Sequence, residues 1–276
     1  MKRYQILDKI RGITLVSMIL YHAVWDLVYM FGFDWNWYRS DLAYLWQQSI
    51  CWCFILLSGF CFSMGKRKWR RGLVVFGSGT LITIITHLVM PAQKVRFGVL
   101  TMLGVSMLLM ALLEKIMALI FTDKKWSLSE KCVGLGISAV LFLITRDINF
   151  HHLGFEGIRL CRLSDVLYRG NDFMTFLGFT GSGFYSTDYF SLMPWFFLFA
   201  SGYYFYHVAK ERNWLYKLSE EKKNTGIEWK VSTNKNDRIF TRFLSWMGRH
   251  SLVIYMLHQP VIYSVLCFIN VFGNAR

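Results

Sequence analysis

Apolar residues run along this chain in blocks of about twenty, broken by short polar stretches. At 1.5 Å of helix rise per residue, about twenty such residues cross the ~30 Å hydrocarbon core of a bilayer. Blocks at 10–32, 42–64, 72–90, 97–121, 132–147, 189–209 and 244–271 therefore predict about seven transmembrane helices. The fold class expected is all-α, a multi-pass helical membrane protein whose single domain covers 1–276. Between the fifth and sixth blocks, 148–188 is aromatic and Gly-rich (Leu153-Gly154-Phe155, Leu177-Gly178-Phe179) and reads as a packed outer cap segment. The stretch 210–241, rich in Lys, Glu and Asn, reads as an amphipathic extension and a cytoplasmic linker. The first apolar run, Ile13 to Phe33, is too long for the core of a signal peptide and no small-x-small site follows it, so a retained first helix is expected.

Composition agrees. The chain is 54% hydrophobic and 18% aromatic with 17% charged residues, a balance that few soluble domains carry. A net charge of +14 raises nucleic acid as a partner, but the placement of the charge excludes it. Most basic residues fall in alternate connectors: Lys2 to Arg11, Lys66 to Arg71, Lys115 to Lys131, and Lys210 to Arg249. Positive residues stay on the cytoplasmic side, which predicts a cytoplasmic N-terminus, attraction to anionic membrane lipids and no nucleic acid. Neither a metal-ligand spacing nor a phosphate loop occurs, and no metal is expected. The six cysteines mostly fall inside apolar spans with no paired spacing and read as free thiols, with a Cys161–Cys267 contact on the outer side as the alternative.

Ionisable groups in a bilayer are costly, so each is a candidate for function. His22 and Asp26 stand four residues apart on the first helix, on one face, where a carboxylate can orient an imidazole as a general base. Counting from Ile10, His22 lies about 18 Å in, and counting from Trp246, so does His258 on the last helix. Two histidines at matched depth, with Gln259 and Pro260 beside the second, predict a shared polar cavity. Arg3, Lys9, Arg11 and Arg249 form a basic foot that suits a phosphate-bearing molecule, and Arg11 and Arg249 adjoin Gly12 and Gly248 at the starts of spans. Asp188 and Trp195 flank Pro194 and could face the same cavity from outside. Small residues at Ser58-Gly59 and Gly77-Ser78-Gly79, and from Phe97 to Gly104, read as close helix packing. Two classes stay open on these residues: an enzyme working at the histidines, or a proton-coupled transporter or flippase with His22, Asp26 and His258 as a proton relay.

The ordered set Arg3, Tyr4, Leu7, Asp8, Arg11, Gly12, Met18, Tyr21, His22, Trp25, Asp26 resembles the first-helix signature of the heparan-alpha-glucosaminide N-acetyltransferase catalytic-domain family, in its short bacterial form. The resemblance continues through Phe97-Gly98-Val99-Leu100, Leu167-Tyr168 and Leu177-Gly178-Phe179. It resumes at Ser186, Asp188 to Phe190 and Met193-Pro194-Trp195, and then from Gly248 to Ser251 and at His258-Gln259-Pro260. Thr101 and Ser191 depart from it, where the family often has His and Pro. The resemblance implies a transmembrane acyltransferase with acetyl-CoA as co-substrate at the cytoplasmic foot and no permanently bound cofactor. His22 would be the catalytic residue with Asp26 and His258. The acceptor would be an extracytoplasmic amino sugar or glycan, met by Asp188, Trp195 and Gln259, in a bacterial plasma membrane. A homodimer remains open.

Overall fold

The computed structural model describes residues 4–120, 126–214 and 235–273. Arg3 and most of the 210–241 stretch lie outside the described residues. Nine helices occur among the described residues: α1 (Gln5–Tyr29), α2 (Asp41–Ser63), α3 (Lys68–Val89), α4 (Val99–Ile120), α5 (Leu128–Ile144), α6 (Asp172–Leu177), α7 (Leu192–Glu211), α8 (Lys235–Arg249) and α9 (Ser251–Gly273). A short antiparallel hairpin, β1 (His152–Phe155) with β2 (Ile158–Arg162), is the one sheet among them.

The architecture is that of an all-α, multi-pass membrane protein. Six spans are long and apolar enough to cross a bilayer, at Gln5–Tyr29, Asp41–Ser63, Lys68–Val89, Val99–Ile120, Leu128–Phe150 and Ser251–Ile269. At the sixth expected block α7 is helical, but Tyr203, Tyr204, Tyr206 and His207 leave it less apolar than those six. The last expected span, 244–271, is not one helix. It breaks at His250, and its first residues belong to α8. That helix has 15 residues, and with Lys235, Asp237, Arg238, Arg242 and Arg249 in its sequence it is too short and too charged to span.

The chain divides into two compact units, one made of Met1–Phe54 and Leu215–Arg276, the other of Ile55–Trp214. In the second unit, α3 and α4 pack antiparallel through glycine contacts. A Cβ on Gly104 would strike the backbone of Phe76, one on Gly79 that of Thr101, and one on Gly72 the side chain of Leu108. Close approach of this kind suits membrane helices, where dispersion and packing must replace the hydrophobic drive between helices. The end of α2 meets α7 the same way, Gly59 against Phe199 and Gly202 against Leu56. Gly77 touches nothing within 4 Å, so only part of the Gly77-Ser78-Gly79 packing expectation applies.

One polar node ties three helices of this unit. Lys68 of α3 pairs with Glu114 of α4, and the Tyr203 hydroxyl of α7 donates to the same carboxylate at 2.8 Å. Both charged side chains are about three-quarters covered, at 23% and 25% exposure. Glu114→Ala leaves a lysine and a phenol without their acceptor and is expected to cost about 1–3 kcal/mol. Glu114→Gln keeps a carbonyl for both and should cost less. The melting midpoints of the two purified variants check this order.

The 148–188 segment carries the β1–β2 hairpin and the short helix α6. Glu156 (φ 47°) and Gly157 (φ 97°) both take positive φ at the hairpin turn, which matches the twist of the flanking strands. Tyr168 is buried, stacks on His151 at 3.7 Å and donates to the Ile148 carbonyl at 2.5 Å. Burial pushes its phenol up to about 12. Two motif segments of the sequence zip together here. Ser186 Oγ accepts from the Arg96 amide and donates to the Arg96 carbonyl, each at 2.9 Å, and the Phe190 amide donates to Phe97 O at 2.9 Å.

In the first unit, α8 runs antiparallel to α1, with Leu244 over Gly12 and Gly248 over Asp8. After the break at His250, α9 runs back parallel to α1, so that His258, Gln259 and Tyr263 fall beside His22, Asp26 and Phe31. Trp46 of α2 reaches across to donate to Ser17 Oγ at 2.8 Å, and Thr14 Oγ1 lies 3.2 Å from Cys53 Sγ.

Candidate active site

The site grows from α1 and α9. His22 and His258 face each other with ring centroids 4.7 Å apart and planes at 61°. The juxtaposition expected from matched depth therefore exists, by another route than supposed. Twelve residues of continuous helix from Trp246 do not lead to His258; the chain reverses at His250 and α9 alone carries His258 to the level of His22.

Asp26 is fully buried, and its partner is not the one that i, i+4 spacing suggests. Gln259 Nε2 donates to Asp26 Oδ1 at 2.6 Å. No hydrogen bond or ion pair joins His22 to Asp26, because the carboxylate turns toward α9. The orientation of His22 by Asp26 is thus corrected: Asp26 holds Gln259, and His22 is placed by ring contacts with His258 and, at 6.1 Å, Tyr21.

His258 is oriented by its own helix. Its Nδ1 is hydrogen-bonded to the Tyr255 carbonyl one turn back. A carbonyl can only accept, so Nδ1 carries the hydrogen, and in its neutral form the ring presents a bare lone pair at Nε2. That Nε2 is buried and has no partner among the described residues; neither have Asp26 Oδ2 and Gln259 Oε1. Three buried acceptor atoms from two adjacent residues of α9 and the facing residue of α1 lack a donor. Leaving such groups unmet costs about 1–3 kcal/mol each. What complements them is a ligand rich in N–H or O–H, an amine or a hydroxyl.

At the foot, the basic residues differ in freedom. Arg11 Nη1 donates to Gly248 O at 3.4 Å and lies 3.8 Å from Asp8, so it is built into the α1–α8 crossing. Gly12 and Gly248, which adjoin Arg11 and Arg249, allow two backbones to touch. Arg249 is exposed with Nε on the Ser245 carbonyl at 3.2 Å, and Lys9 is partly exposed. Arg3 lies outside the described residues.

Asp188 and Trp195 belong to the second unit, and each has a structural task there. Asp188 Oδ2 accepts from the Val99 amide at 3.3 Å, which caps the start of α4. Trp195 is 5% exposed, packed on Phe142 and Phe190, with the Arg146 guanidinium over its ring at 5.1 Å. Ser191 is fully buried and donates to Met193 O. Thr101 packs against Gly79. Sequence reasoning missed Tyr255 as the group that sets the His258 tautomer; its spacing of three residues was the available signal.

Fold and site together define a multi-pass membrane protein with paired histidines and a carboxylate between two of its helices. The chain belongs to the family described as heparan-alpha-glucosaminide N-acetyltransferase, catalytic, whose model matches residues 3–260. No curated protein and no solved structure matches it. Family membership decides between the two classes left open by the residues, in favour of transferase over transporter.

Proposed function

We propose that the protein moves an acetyl group from acetyl-CoA on the cytoplasmic side to an amine or hydroxyl of a sugar on the outer side of a bacterial plasma membrane. The observation that carries this reading is the set of three unmet acceptors, Asp26 Oδ2, Gln259 Oε1 and His258 Nε2. An amino sugar brings to that spot the donors they lack, and the imidazole lone pair can take the proton its nitrogen must lose. In the reaction the acceptor nitrogen (or oxygen) forms a bond to the acetyl carbon while the carbon–sulfur bond of the thioester breaks. The proton released by the acceptor passes through imidazole to the departing thiolate, so charge and atoms balance. His22 handles the acetyl group, either beside the acceptor or as a transient acyl-imidazole. His258, with its tautomer fixed, serves as the proton acceptor. Lys9 and Arg249, with Arg3 and Arg11, supply the positive charge for the CoA phosphates. Asp188 and Trp195 are assigned no step, since both already serve packing in their own unit.

Inside-out membrane vesicles containing the protein, given acetyl-labelled CoA outside and glucosamine inside, test the reading directly. Acetylated glucosamine inside the vesicles is the expected result. Vesicles that neither bind CoA nor label any amine or hydroxyl acceptor would overturn it.

A further inference from the structure

The hydrogen bond from His258 Nδ1 to the Tyr255 carbonyl settles which nitrogen carries the hydrogen, but it does not by itself hold the ring. The outer torsion of a histidine side chain is broad and roughly two-fold. A flip about it would break that bond, put a carbon where Nδ1 stood and turn the bare Nε2 elsewhere. Ring contacts supply the missing constraint. The imidazole has two aromatic neighbours, His22 of α1 at 4.7 Å and 61°, and Tyr255 of its own helix at 5.2 Å and 51°. Three residues apart on α9, Tyr255 and His258 share a helix face, which sets the phenol ring one turn back from the imidazole.

Tyr255 is backed in turn by Phe54 of α2, the two rings stacked at 5.9 Å and 26°. Phe54, Tyr255, His258 and His22 therefore touch in sequence, four rings from three helices of one compact unit. The backing ring stands on a helix that is tied in place. Trp46 Nε1 of α2 donates to Ser17 Oγ of α1 at 2.8 Å, and Cys53 Sγ lies 3.2 Å from Thr14 Oγ1. Phe54 follows the second of these contacts directly. Tyr255 is 9% exposed, so its ring can tilt only if its neighbours give way, and close-packed interiors resist that. Aromatic pairs also favour particular angles, which a flexible aliphatic side chain does not impose.

We infer that Tyr255, backed by Phe54, is a positioning residue for the reaction: its ring fixes the outer torsion of His258 and keeps the bare Nε2 aimed at the acceptor's proton. Tyr255 takes no proton and forms no bond; it acts through His258. The inference rests on the acyl-transfer reading for what His258 does, but the ordering of the imidazole does not depend on any transfer taking place.

The test compares the full wild-type protein with Tyr255→Phe, Tyr255→Leu and Phe54→Leu, with melting midpoints recorded to establish that each is folded. Magnetic resonance of isotopically labelled histidine nitrogens, in lipid nanodiscs without substrate, reads the tautomer of His258. Its signal is identified by its loss in His258→Gln. Transfer from acetyl-CoA to glucosamine in vesicles gives kcat and KM. Wild type and Tyr255→Phe should show one tautomer, with the hydrogen on Nδ1. Tyr255→Leu fills the space without a ring face and should show both tautomers in exchange. Its kcat should fall by up to about tenfold with KM unchanged. Phe54→Leu should move both readouts the same way by less, and it carries the test if Tyr255→Leu does not fold. A ring that only filled space would be replaced by leucine without effect on either. An unchanged tautomer, an unchanged kcat, a KM that rises as kcat falls, or a Tyr255→Phe as impaired as Tyr255→Leu overturns the positioning role. If the tautomer depends on Tyr255 but wild type transfers no acetyl group, the ordering of His258 stands and the acyltransferase reading falls. If transfer occurs and neither readout responds to Tyr255→Leu, the reverse holds.

Discussion

His22→Ala is expected to lower the initial rate of acetyl transfer by about 10²–10⁴-fold, the usual worth of a positioned general acid–base group. The ring makes no hydrogen bond among the described residues that its loss would break, and its contacts are the rings of His258 and Tyr21. The fold should therefore survive, and CoA binding, proposed for the foot, should be unchanged. Measuring rate and CoA affinity on the same vesicles separates a chemical from a structural effect. Full transfer by His22→Ala would leave the enzyme reading in place and remove His22 from it. Asp26→Asn is the informative companion, because an amide oxygen still accepts from Gln259 while the ionisable carboxyl is gone. A loss there much smaller than in His22→Ala would assign Asp26 to holding Gln259 rather than to the reaction.

Gly248→Leu is expected to destabilise the protein by about 3 kcal/mol or more, the upper range for overpacking. Its Cβ would land on the Asp8 backbone carbonyl, as one at Gly12 would on that of Leu244. Backbone cannot swing aside as a side-chain tip can, so α1 and α8 must separate and the Arg11 bond to Gly248 O is lost. The melting midpoint in detergent reads the effect. Gly77→Ala is the control: nothing lies within 4 Å of its added carbon, and replacing a helical glycine should stabilise by up to about 1 kcal/mol. A Gly248→Leu protein that melts with wild type would show that the crossing is looser than its geometry implies.

Much of the architecture was legible along the chain because a bilayer imposes a length. Each apolar block had to become a helix to satisfy its own backbone, and five of the expected blocks, 10–32 to 132–147, lie on helices that meet the requirement for spanning. The block at 244–271 was misread at its start. Apolar residues of α8, such as Phe243 and Trp246, run into those of α9, and composition has no mark for a one-residue break at His250. The hairpin at 152–162 was likewise invisible in a segment read only as aromatic and Gly-rich.

Sequence alone determined that this is a helical membrane protein, that His22 and Asp26 share a face of its first helix, and that His258 and Gln259 are costly groups in its last. Spacing along one helix specifies which side chains can be neighbours. It does not specify which neighbour wins when a second helix arrives with a better donor. Tertiary structure decided that contest. Packing α9 parallel to α1 delivered Gln259 to Asp26 and His258 to His22, and it left three buried acceptors waiting for a donor. The partner of a buried carboxylate is chosen by the donor with the best reach and geometry, and reach between two helices is set only when they pack.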